Sequence, residues 1–150
     1  MKFQEFPYQR PELVSFVKKF ETLLEGFENA DSLESQNDFF EKINELREDF
    51  SSMNNLCRIR HSIDTRDEFY EKENTFFDEN SPAYEALNNR FYQLMLNSKF
   101  RKSLEEKWGS QLFVIADLSL KTFHPTILED LQKENKLVSD YNKIKATAEI

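Results

Sequence analysis

One hundred and fifty residues suffice for one domain and not comfortably for two. Two glycines and four prolines are too few for the turns of a β-sandwich or barrel, or for a glycine-rich phosphate loop. A net charge of −8 repels phosphate backbones and argues against general nucleic-acid binding.

In chain order, Pro7 and Pro11 make the first ten residues an extended lead-in, with Pro11 placed to open the first helix. Leu13, Phe16, Val17, Phe20, Leu23, Leu24 and Phe27 fall at steps of three and four and form its apolar face. Gly26 interrupts that helix at a cost of up to ~1 kcal/mol relative to alanine. Ser32 or Asp31 caps a second helix of about thirty residues, with the stripe Phe39, Phe40, Ile43, Leu46, Phe50, Met53, Leu56, Ile59 and Ile63. Thr65 and Glu68 read as a capping box for a third helix carrying Phe69, Tyr70, Glu73, Phe76 and Phe77. Asn80-Ser81-Pro82 reads as the stop of that helix and the start of a fourth, with Tyr84, Leu87, Phe91, Leu94 and Met95.

A short fifth helix spans Lys99 to Trp108 and is closed by Gly109. A sixth, from Ser110 to Lys121, is apolar enough to be expected deep in the core. His124-Pro125 breaks the chain, and Pro125 or Thr126 opens a last helix with Ile127, Leu131, Val138, Tyr141 and Ile144. That stripe reaches the end of the sequence without a stop signal, which raises the expectation of a piece of something longer. The predicted fold is all-α: an antiparallel helical bundle of about six or seven helices, without a sheet, forming a single domain over residues 1–150.

The longest apolar run, Leu112 to Ala116, is far short of the ~20 residues that span a bilayer, so no membrane is expected as a partner. The first seven residues carry no apolar leader, and Cys57 is the single cysteine. Both favour a cytoplasmic location with reduced thiols.

Catalytic constellations are scarce. His61 and His124 are the two histidines, 63 positions apart, so neither His-Glu-x-x-His nor a paired Glu-x-x-His site can form. Cys57 and His61 share a helix face, an arrangement more often a buried thiol beside a polar neighbour than a nucleophile and base. Carboxylates such as Glu71 and Glu73 read as parts of solvated faces. The densest mixed chemistry lies between Arg58 and Pro82, where Arg60–Asp64 and His61–Asp64 are spaced as helical ion pairs. They either fix the corner between helices two and three or line a ligand groove.

That same segment, Arg58-Ile59-Arg60-His61-Ser62-Ile63-Asp64-Thr65-Arg66-Asp67-Glu68-Phe69-Tyr70-Glu71 continuing to Phe76-Phe77-Asp78-Glu79-Asn80-Ser81-Pro82, resembles the N-terminal region of oligoendopeptidase F-type enzymes. These are zinc metallopeptidases of the thimet oligopeptidase family. Phe6-Pro7-Tyr8 with Arg10-Pro11, Leu118 to Phe123, and Glu129 to Ser139 resemble it too. The resemblance implies a largely helical fold whose N-terminal helices form the wall or lid of a peptide channel. It implies zinc in the full-length parent, held by a later His-Glu-x-x-His helix, and carries no cofactor, metal ligand or catalytic position over to this chain, which is expected to be inactive alone. Peptide substrates and the missing catalytic domain are then its partners. His61, Arg58, Asp64 and Tyr70 are the polar positions expected nearest a substrate groove. Self-association through the last helix is also expected, because surfaces made for an absent partner stay apolar. The alternative is a stand-alone helical adaptor without enzymatic activity.

Overall fold

A computed structural model describes residues 5–122 and 127–147. The break expected at His124-Pro125 lies outside the described residues. Among the described residues six α-helices follow one another: α1 (Leu13–Glu28), α2 (Leu33–Ile63), α3 (Glu68–Leu96), α4 (Arg101–Trp108), α5 (Ser110–Thr122) and α6 (Leu128–Thr147). No strand occurs among the described residues.

Helix α1 begins two residues after Pro11. Glu12 is its N-cap, and its carboxylate accepts hydrogen bonds from the Val14 and Ser15 amides at 3.2 and 2.8 Å. Those amides have no partner inside the helix, so a side-chain acceptor there is stabilising. The buried face is Phe16, Phe20, Leu24 and Phe27. A short link then returns the chain as α2, capped by the Ser32 hydroxyl on the Ser35 amide at 3.1 Å. The two helices run antiparallel, with the Phe27 ring near Phe40 and Phe16 near Phe50. They approach so closely that a Cβ on Gly26 would lie 2.3 Å from the Phe39 ring. Glycine's cost in a helix is offset here by the packing it permits.

The capping box at Thr65 and Glu68 does not form. The carboxylate of Asp67 caps α3, accepting from the Phe69 and Tyr70 amides at 2.8 and 3.2 Å. Nor does Asn80-Ser81-Pro82 divide the helix: α3 continues through Pro82 to Leu96, so the two helices expected here are one. Proline lacks the amide that would bond the carbonyl four residues back. That carbonyl, on Asp78, accepts instead from the Asn135 side chain at 3.3 Å, and the Glu79 carbonyl accepts from Gln132 at 2.8 Å. Two amide side chains of α6 thus satisfy the backbone around the proline.

Helix α3 is antiparallel to α2, with Phe91 packed on Phe40 and Phe77 on Phe50. The core at one end joins Phe27, Phe40, Phe91 and Trp108, the last stacked on Phe40 at 4.2 Å. In the middle it joins Phe16, Phe50, Phe77 and Tyr84. The positive φ of Gly109, 91°, lets the chain turn between α4 and α5 without steric strain.

Helix α5 is not deeply buried. Phe113 and Ala116 face the core, whereas Val114, Ile115 and Leu118 are exposed. An apolar run identifies a helix that needs cover, and among the described residues one side is covered, chiefly by α3 and α4. The stripe of α2 also turns at its last two turns. Ile59 and Ile63 are exposed while Cys57 and His61 go inside. There α2 meets polar side chains of α3.

Candidate functional site at the polar end of the bundle

Beyond Phe77 the interior between α2 and α3 becomes polar, and Glu73, Asn74, Asp78 and His61 are all buried. Two clusters form there.

The first pins the N-terminal segment. Glu73 accepts from the Tyr8 hydroxyl at 2.6 Å and from Nε and Nη2 along one edge of the Arg10 guanidinium, which also lies over the Phe76 ring. Arg60 reaches across to the Tyr70 hydroxyl at 2.7 Å and the Phe6 carbonyl at 2.6 Å. The hydrogen bonds from Arg10 hold the Glu73 carboxyl below the usual carboxylate range. Burial, then the bond to Glu73, pushes the Tyr8 phenol well above its ordinary value.

The second cluster joins α2, α3 and α6. Asp78 accepts from Arg58 at 3.0 Å, from Asn74 at 3.1 Å and from the Ser139 hydroxyl at 2.6 Å. Asn74 also donates to the Ser139 oxygen at 3.1 Å. Glu71 receives Lys143 at 2.6 Å and His61 Nε2 at 2.9 Å, so His61 must carry a proton on Nε2 to make that bond. The Lys143 contact, then His61, lowers the Glu71 carboxyl. A cleft of about 810 Å³ opens beside this seam, lined by His61, Glu71, Asn74, Asp78 and Lys143 among others.

The four residues singled out in the sequence do not share one surface. Arg58 and His61 reach the α6 seam, and His61 takes its partner from Glu71 on α3 rather than from Asp64. Asp64 ends α2 and accepts the Arg66 amide at 3.0 Å. Tyr70 packs on the other side, against Tyr8 and Phe69. Glu71 and Glu73, read from sequence as a solvated face, are instead the central acceptors of the two clusters. Cys57 is fully buried, and burial pushes its thiol up to about 12, which disfavours the thiolate.

A pH effect follows from these two carboxylates. Both have depressed pKa values when folded, so the stability they contribute is complete above the unfolded value near 4.3 and is lost as pH falls through the depressed values. On their account the thermal midpoint should fall below about pH 4, less steeply in Glu73→Gln, while the Glu85 carboxyl, raised by desolvation, adds a decline as pH rises through its folded value. A wild-type midpoint unchanged down to pH 3 would contradict this.

No group of three His, Cys, Asp or Glu side chains able to hold a metal occurs among the described residues, so they do not fit zinc. No described helix is long and apolar enough to cross a membrane. These elements define a helical module in which the buried Glu73, Asn74, Asp78 and His61 hold helices and the N-terminal segment together. The chain belongs to the Peptidase M3 N-terminal domain family, whose model matches residues 3–123.

Solved structures agree. The chain is similar to a protein described as oligoendopeptidase F, with 50% identity and a TM-score of 0.91, over 94% of this chain and 25% of that one. A protein so described from Bacillus anthracis str. Ames is 45% identical, with a TM-score of 0.91, over 94% of this chain and 26% of that one. Pz peptidase A, solved with an inhibitor, is 49% identical, with a TM-score of 0.91, over 93% of this chain and 25% of that one. The chain thus spans about a quarter of the length of these relatives. No curated protein matches it.

Proposed function

We propose that this chain is the non-catalytic N-terminal part of an oligopeptide-cleaving zinc metalloendopeptidase, where it forms part of the wall or lid of the peptide channel. The observation that carries the reading is the 45–50% identity to peptidase chains about four times as long. Zinc, which polarises a peptide carbonyl and activates water in such enzymes, would be held by residues outside this chain. The contribution of residues 1–150 is shape and polar contact. Arg58 and His61 on the α6 side, Asp64 at the end of α2 and Tyr70 on the side of the N-terminal segment are proposed as separate peptide contacts rather than one groove. Arg58 and Asp64 keep side-chain surface open to solvent, at 39% and 55%. A cytoplasmic setting, supported by the lone buried thiol, completes the proposal. The test is a chimera in which this chain replaces the matching quarter of the Bacillus anthracis relative, assayed for zinc-dependent peptide cleavage.

A further inference from the structure

Helix α6 is amphipathic the wrong way round. Gln132, Asn135, Ser139 and Lys143 recur at steps of three and four and form one stripe. That polar stripe faces α3, where each of the four side chains has a partner. Leu137, Val138 and Tyr141 lie on the opposite side at 100° per residue and are 68, 51 and 64% exposed. No described side chain of α6 is buried. A surface helix ordinarily turns its apolar stripe inward.

We infer that the Leu137–Val138–Tyr141 stripe is the surface on which the remaining three quarters of a longer peptidase chain docks, with α6 clamped between that body and α3. The inference rests on the function proposed above. Two observations and one general argument select this occupant. The family model stops at residue 123, so α6 lies beyond the N-terminal domain it defines. With 94% of the chain matched, the likeness to the longer structures takes in part of the 20-residue α6. A covalently attached body also docks at high effective concentration, so a small apolar stripe suffices. A second copy is the poorer occupant. Three side chains offer on the order of a few hundred Å², against about 800 Å² per partner in a standard interface. A net charge of −8 on each copy adds repulsion.

Thiol labelling reads the occupant directly, because Cys57 is buried and gives little background. Leu137→Cys and Tyr141→Cys are introduced singly into the isolated chain and into the chimera with the Bacillus anthracis relative. The same substitutions are made at the aligned positions of that relative itself, which keeps the test decisive if the chimera does not fold. Labelling is expected to be fast in the isolated chain and at least about tenfold slower in the longer proteins. Equal labelling in a chimera or relative that cleaves peptide would overturn the docking surface and leave the proposed function standing. Slow labelling in the isolated chain, slower still at higher protein concentration, would assign the stripe to a second copy and overturn the inference. A folded chimera that protects both positions yet cleaves nothing would support the docking surface and count against the proposed function.

Discussion

Phe50→Ala is expected to destabilise the chain by about 3–5 kcal/mol, the range for removing a buried aromatic ring. The ring is 1% exposed and stands where three helices meet. It stacks on Tyr84 at 4.3 Å, meets Phe77 edge-on at 5.5 Å and lies 5.0 Å from Phe16. Its neighbours sit on α1 and α3, which are fixed by many other contacts, so they cannot close the cavity. Lost transfer energy and residual void therefore both count. A chain of this length shifts by roughly 2–4 °C per kcal/mol, so the midpoint should fall by about 10 °C. Phe50→Leu, which keeps most of the volume, should lose less than half as much. Calorimetry or denaturant melts would measure both. A loss below about 1 kcal/mol for alanine would mean that the aromatic cluster is not the structural centre.

Asp78→Ala should cost about 2–3 kcal/mol, with a distinctive spatial pattern. Removing one partner of a buried ion pair typically costs 3–5 kcal/mol. Arg58 retains 39% of its side-chain surface and can be partly resolvated, which brings the figure down. Asn74 and the Ser139 hydroxyl lose an acceptor at the same time. Because α6 buries no described side chain and is held to α3 by such contacts, it should loosen first. Amide exchange in α6 should rise while that of α1 and the first half of α2 stays close to wild type. A uniform rise across all helices would contradict the view of α6 as a polar-docked element.

The aromatic frame was readable from local spacing. Phe16, Phe20, Leu24 and Phe27 recur at three and four, and nothing distant is needed to see a buried face. Distant partners explain what local rules missed. Pro82 reads as a helix stop because the signal that cancels it, Asn135 on the Asp78 carbonyl, lies 57 positions beyond that carbonyl. Glu73 reads as a surface carboxylate because Tyr8 and Arg10 arrive from 65 and 63 positions away. Thr65 looks like a cap, yet Asp67 stands closer to the first free amides and bonds two of them. An apolar run looks the same whether its cover is in this chain or elsewhere, so α5 reads from sequence as deeper than it lies. Of the candidate site, the neighbourhood of Arg58 and His61 was legible as dense mixed chemistry. Its closure by Ser139 and Lys143 was not, since pairing across helices leaves no local spacing signal.

On the reading proposed above, this chain serves as the N-terminal part of a zinc peptidase whose catalytic groups lie elsewhere. Zinc-dependent cleavage of a fluorogenic oligopeptide decides it. Three proteins are compared: the 150-residue chain alone, the Bacillus anthracis relative lacking its matching quarter, and the chimera that joins the two. Cleavage by the chimera, with neither part active alone, is the predicted result. Zinc-dependent turnover by the pure 150-residue chain, or a folded chimera no more active than the truncated relative, would contradict it.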